Sequence, residues 1–258
     1  AIERVAAARA IDRPTALDYI GRLFGDSFFE LHGDRRFGDD RAIVSGIAEL
    51  NGMPVTVIGI ERGHNTKEKV FRNFGSAHPE GYRKALRLMK QAEKFHRPVL
   101  CLVDTSGAYC GIGAEERGEG QAIAENLFEM ITLKTPILSI LLGEGGSGGA
   151  LGLAVADEVW MLENAIYSVI SPEGCASILW KDSSKTAQAA ECLKLTSQDL
   201  YKMGVIEKII REPKHIEDKL VDSLRNIIYN KLHEKKALPV EQLLEERYQR
   251  SRRIGAAD

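Results

Sequence analysis

Five glycines fall within seven residues at Gly143-Glu144-Gly145-Gly146-Ser147-Gly148-Gly149. An apolar run, Pro136 to Leu142, precedes them, and a small-residue helix candidate, Ala150 to Ala156, follows. A strand, a glycine turn and a helix together aim bare backbone N–H groups at one point. Glycine removes the side chain that would hold a ligand away. The helix start adds unpaired donors and a partial positive charge. Such a turn suits an oxyanion, a phosphate or a carboxylate.

The surrounding chain reads as one or two strands followed by a helix, repeated about every 35–45 residues. Ala42 to Leu50 and Val55 to Ile60 are strand-like and joined by Asn51-Gly52, a strong hairpin signal. Glu61 to Pro79 reads as a polar loop. Glu80 to Phe95 has helical periodicity, with Arg83, Arg87, Lys90, Lys94 and Arg97 on one face and Ala85, Leu88, Met89, Ala92 and Phe95 opposite. Strand Val99 to Val103, a second glycine loop Asp104 to Gly113, a helix Ala114 to Leu133 and strand Ile137 to Leu142 follow. Then come strands Glu158 to Leu162 and Ile166 to Ile170, a helical region after Ser171-Pro172-Glu173-Gly174, and a last strand Val205 to Ile210. This alternation means α/β with largely parallel strands, arranged as a spiral of ββα units. Residues 1–36 read as helical, with Thr15 as a cap and Leu17, Ile20, Leu23 and Phe24 as an apolar face. Residues 216–254 read as charged helices with Ile216, Leu220, Leu224, Ile227 and Leu243 turned to another chain or to the body. The domain reading is 1–38 N-terminal helical segment, 39–212 α/β domain and 213–258 C-terminal helical extension.

The glycine turn fits several templates. Gly143, Gly145 and Gly148 match G-x-G-x-x-G, but the following helix is short for a dinucleotide crossover. Gly145-Gly146-Ser147-Gly148-Gly149 contains the G-x-S-x-G of a nucleophile elbow, with only His215 and His233 downstream as bases. No Lys-Ser/Thr follows, which removes a phosphate-binding P-loop. Close helix–strand packing explains some of the glycines, although five within seven residues exceed what packing needs. Two glycine loops on successive repeats would sit side by side at the carboxyl ends of the strands, where open α/β sheets place ligands.

Partners and compartment follow from composition. A net charge of -2 argues against general nucleic-acid binding. No apolar run suits a membrane span, and the first residues lack a signal-peptide core. The four cysteines, 101, 110, 175 and 192, form no zinc-spaced cluster and read as free cytoplasmic thiols. Cys110 is expected to be buried, as cysteines usually are.

Longer blocks carry a resemblance. Glu30-Leu31-His32-Gly33-Asp34-Arg35, Phe71-Arg72-Asn73-Phe74-Gly75, His78 through Phe95, Ala114-Glu115-Glu116-Arg117-Gly118, the glycine turn, and Met161 through Asp182 are similar to the α subunits of bacterial acetyl-CoA carboxylase carboxyltransferases. The resemblance implies a crotonase-like (ClpP/crotonase) fold. It implies an enzyme moving a carboxyl group from carboxybiotin, carried on a biotin carboxyl carrier protein, to acetyl-CoA, giving malonyl-CoA for fatty acid biosynthesis. In that family carboxybiotin supplies its own base, so no catalytic His or Asp is required. Gly148 and Gly149 would form the biotin-side oxyanion hole. Gly145, Gly146, Gly107, Ala108, Tyr109, Gly111, Glu173 and Gly174 would line the cofactor's pocket. No metal ligand is expected here, and zinc would belong to a partner β subunit in an α2β2 heterotetramer, with biotin carboxylase in the wider complex. The chain departs from the family at Ser106 and Cys110, where proline is usual, and at Glu119, where glutamine is usual. The alternatives are an acyl-CoA hydrolase or isomerase on the same fold, and a non-catalytic scaffold.

Overall fold

A computed structural model of the protein describes residues 1–212 and 218–256. The chain opens with α1 (Ile2–Ala8) and α2 (Ala16–Phe24). Thr15 and Asp18 close a capping box at the start of α2, a reciprocal arrangement that satisfies two otherwise orphan donors. Ala16, Tyr19, Ile20, Leu23 and Phe24 are buried, but Leu17 is 36% exposed and lies off the buried face. Residues after Phe24 leave the helical reading: a short strand, β1 (Phe29–Glu30), pairs with the hairpin that follows.

That hairpin is β2 (Ile43–Leu50) and β3 (Met53–Ile60), paired antiparallel from Ile43↔Ile60 to Leu50↔Met53. Asn51 and Gly52 take φ of 48° and 81°, the left-handed pair that a two-residue hairpin turn needs. The polar stretch beyond it is not all loop. It forms α3 (Thr66–Phe71), whose start is capped by Asn65 accepting from the Glu68 N–H. Next come α4 (Pro79–Lys94), β4 (Val99–Thr105), α5 (Ile112–Glu116), α6 (Glu119–Ile131) and β5 (Ile137–Gly146). The helix expected from Ala114 to Leu133 is broken between α5 and α6 by Gly118 at φ 82°. The remaining elements are α7 (Ser147–Leu151), β6 (Glu158–Leu162), β7 (Ile166–Ser168), α8 (Pro172–Trp180), α9 (Thr186–Leu193), α10 (Ser197–Lys202), β8 (Lys208–Ile210), α11 (Asp218–Lys236) and α12 (Val240–Arg253).

Among the described residues the strands form one sheet in the order β1-β2-β3-β4-β5-β6-β8, with β7 pairing the far end of β5. Pairing is parallel from β3 onward. All seven residues of β4 are buried, as expected for a parallel strand covered on both faces. Two strands per helix holds for β2–β3–α4 and β6–β7–α8, whereas β4 and β5 each enter a helix as single long strands.

The C-terminal helices belong to the body. Val221, Leu224, Ile228 and Leu232 join the main core, and Leu243 is buried. Arg247, fully buried, forms a paired contact with both Asp157 oxygens at 2.9 Å and donates to the carbonyls of Met130, Leu133 and Thr135. Ile216 and His215, and the domain boundary at 213, lie outside the described residues. No helix among the described residues is long and apolar enough to cross a membrane.

Candidate active site

The carboxyl ends of β4 and β5 lie side by side, with Thr105 opposite Gly145. The loop leaving β4 therefore crosses directly over the glycine turn leaving β5. The contact is too close for side chains. A Cβ on Gly146 would stand 2.1 Å from the Ser106 carbonyl oxygen, and one on Gly149 would stand 2.4 Å from the Ala108 nitrogen. Packing thus accounts for more of the glycines than their number in sequence suggests. Gly148 is the exception, since a Cβ there would meet only Ile123, at 3.7 Å.

Gly143, Gly145 and Gly146 prove to be the end of β5, and the helix begins at Ser147, not at Ala150. Ser147 has φ 51°, a left-handed conformation that turns the chain sharply from strand to helix. No side chain caps α7. The first N–H groups of a helix have no acceptor within it, so those of Gly148 and Gly149 are left for a ligand or water. The turn is held from behind: the buried Tyr82 hydroxyl donates to the Gly149 carbonyl at 3.1 Å, and the Asn126 amide donates to the Gly152 carbonyl at 3.0 Å.

Two clefts flank Ser147. The smaller, of about 50 Å³, is lined by Arg9, Ser106, Glu144 to Ser147, Ile166, Ser168, Ile170, Ser171 and Pro172. The larger, of about 330 Å³, runs along Gly148, Leu151, Tyr167, Val169, Leu200, Val205 and Ile254 and is largely apolar. The smaller cleft rests on an ionic network. Arg9 donates to Glu144 at 2.7 Å and to Glu173 at 2.8 Å. Arg62 stands 3.1 Å from Asp104 and 3.2 Å from Glu144. Burial pushes the Asp104 carboxyl upward, against the pull of Arg62 and the Glu144 N–H. The Arg9 hydrogen bond draws the Glu173 carboxyl down.

The structure brings most of the sequence-derived site residues together. Gly107 and Ala108 touch the turn. Tyr109 turns aside and stacks on His78 at 4.3 Å, and Gly111 caps α5 beneath the Tyr109 ring. Glu173 and Gly174 do not line the smaller cleft, whose wall there is Ser171 and Pro172. Glu173 reaches it through Arg9, and the Gly174 N–H is taken by the Ser171 hydroxyl at 3.1 Å. Cys110 is exposed rather than buried, because no residue of its loop, 106–112, is buried. Arg9, Arg62, Glu144 and Tyr82 carry no sequence signal of a site, since their partners lie far away along the chain.

Other candidate chemistry is absorbed elsewhere. On α4, Arg83 donates to Asp34 and to the Arg117 carbonyl, and Arg87 donates to the carbonyls of His32 and Gly33. These two arginines are therefore tied into the protein rather than free for an anion. His78 pairs with Asp40 at 3.2 Å, a bond that raises its pKa, and His233 stacks on Tyr229. Among the described residues, which do not include His215, no histidine hydrogen-bonds Ser147, so the elbow finds no base among them. Among those residues no group of three or more His, Cys, Asp or Glu could hold a metal ion.

Residues 1–255 match the sequence profile described as acetyl co-enzyme A carboxylase carboxyltransferase-like. The chain is 62% identical over 255 residues to the acetyl-coenzyme A carboxylase carboxyl transferase subunit alpha of Ruminiclostridium cellulolyticum, covering 99% of this chain and 98% of that one. It is 58% identical over 246 residues to the same subunit of Streptococcus equi, covering 95% and 96%. Solved structures with the same fold include a Pseudomonas malonate decarboxylase hetero-tetramer in complex with coenzyme A (TM-score 0.70, 18% identity, 91% of this chain and 92% of that one). Transcarboxylase 12S is another (TM-score 0.69, 19% identity, 87% and 43%).

Proposed function

The chain belongs to the acetyl co-enzyme A carboxylase carboxyltransferase family, and on that premise we propose how its residues serve the transfer of a carboxyl group from carboxybiotin to acetyl-CoA. The fold is the crotonase-like α/β fold of these carboxyltransferases. Malonyl-CoA, the product, is the building block of fatty acid biosynthesis. When bound, carboxybiotin supplies both the carboxyl group and a base for the acetyl methyl proton. The chain then needs no titrating catalytic side chain, and what it contributes is binding and charge stabilisation.

One observation carries the reading. The crossing of residues 106–108 over the glycine turn locks α7 so that its unpaired N–H groups lie at the mouth of an apolar groove. The groove's apolar walls and one edge of backbone donors fit a neutral fused ring with a polar carbonyl edge. Gly148 and Gly149 donate their N–H groups to negative charge developing on that oxygen. A preorganised donor of this kind is worth about 2.7–4 kcal/mol of barrier. Gly145, Gly146, Gly107 and Ala108 set the backbone that aims them. Tyr82 fixes the peptide at Gly149, and Arg9 ties the turn to α8.

The remaining assignments complete the proposal. The chain works with a carboxyltransferase β subunit as an α2β2 heterotetramer, and acetyl-CoA and a zinc site lie mainly on that partner. A biotin carboxyl carrier protein delivers the cofactor, biotin carboxylase recharges it, and the assembly works in the cytoplasm. The test is transfer of label from the malonyl-CoA carboxyl group to free biotin by the mixed subunits. Label on biotin supports the assignment. Thioester hydrolysis by this chain alone, without label transfer, overturns it.

A further inference from the structure

Glu119 is the most anomalous buried group outside the site. It opens α6, is only 4% exposed, and neither carboxylate oxygen has a hydrogen-bond partner. An ionised carboxylate buried without a partner is very costly, and the usual escape is to hold a proton. The charged and titratable groups facing it confirm the direction. From α4 come His78, Glu80 and Tyr82, from the loop before β2 comes Asp40, and from α5 and its end come Glu115 and Arg117. Arg117 is committed to Glu80, and the His78 ring to Asp40. Burial first, and then the carboxylates of Asp40, Glu80 and Glu115, push Glu119 up to about 8, against the opposing pull of His78.

Its position couples it to the glycine turn. One turn along α6, Ile123 is the side chain that faces Gly148. Seven residues along, on the same helix face, Asn126 donates to Gly152 at the end of α7. Tyr82, across from Glu119, holds the Gly149 carbonyl. We propose that Glu119 is a positioning residue that works only while protonated: its neutral carboxyl seats the start of α6 against α4, and its ionisation loosens α6 and with it the donors of α7. The link to activity rests on the carboxyltransferase reading, while the protonation and the loosening do not.

The test compares the full chain with Glu119→Gln, whose amide mimics the neutral acid. At pH 7 the wild type should show an infrared band of a protonated buried carboxyl that the variant lacks. Amide protection in α7 and residues 106–111, taken relative to the intrinsic base-catalysed exchange rate at each pH, should fall through pH 8 in the wild type and stay level in the variant. With the β subunit, wild-type transfer should fall about tenfold between pH 7 and pH 9, as one ionisation near 8 requires, and the variant should stay flat. Stability gives an independent sign. An unfolded Glu ionises near its ordinary 4.5 and the folded one near 8. The wild type should therefore lose stability relative to the variant as pH rises between those values, and no further above them. No protonated carboxyl at pH 7, or an equal loss of protection in the variant, overturns the proposal. If neither protein transfers carboxyl at any pH, the functional reading fails, and the infrared and exchange results still decide this one.

Discussion

Gly148 and Gly149 are neighbours in sequence and look equivalent there, yet they meet different surroundings. Alanine at 149 would drive a methyl into the Ala108 backbone. Overpacking of that kind costs about 1–3 kcal/mol. Because the displaced loop and turn carry the donors, turnover should fall about a hundred- to thousandfold. Alanine at 148 has room, keeps its N–H, and should leave stability within about 1 kcal/mol of wild type, since alanine is the better helix former. Thermal melts with steady-state turnover check the pair, and equal behaviour of the two variants would contradict the close-approach argument. Ser147 makes a separate prediction. No described histidine reaches its hydroxyl, so Ser147→Ala should keep most of the transfer rate. An acyl-enzyme on Ser147, detected by mass spectrometry, would return the site to the hydrolase reading.

Among the elements, those fixed by local chemistry were legible in the sequence and those fixed by distant contacts were not. Asn51-Gly52 demands left-handed backbone and so announces the β2–β3 hairpin. The short helix α3 was open to discovery too, because Asn65 and Glu68 have the spacing of a cap, but the polar composition around them reads as loop. Gly118 gave no warning that it would split α5 from α6, since glycine inside a helical pattern is often tolerated. Of the site, the two glycine loops and their adjacency were readable. Arg9 was not, because its partners Glu144 and Glu173 are brought to it only by folding. The C-terminal helix α12 gives the sharpest element-scale prediction. Arg247→Met would leave Asp157 buried without its cation and three carbonyls without their donor. Breaking a buried pair in this way costs about 3–5 kcal/mol. Urea denaturation should show that loss, and a change under about 1 kcal/mol would mean that α12 is only loosely held.

At the scale of the molecule, large apolar side chains stand in solvent on several elements around the site: Ile112 on α5, Phe128 on α6, Val169 after β7, and Ile178 and Leu179 on α8. The chain supplies a glycine turn, a groove and an ionic scaffold. It offers no second strong oxyanion turn in its sequence for an enolate, which is why the account places the acetyl-CoA half of the chemistry on a partner. Mixing should therefore be decisive. The measurement is the rate of malonyl-CoA formation from acetyl-CoA and carboxybiotin as the β subunit is titrated into a fixed amount of this chain. Transfer should be absent without the partner, and the rate should climb and saturate at one β subunit per chain. Full turnover by this chain alone would contradict a site shared between the two subunits.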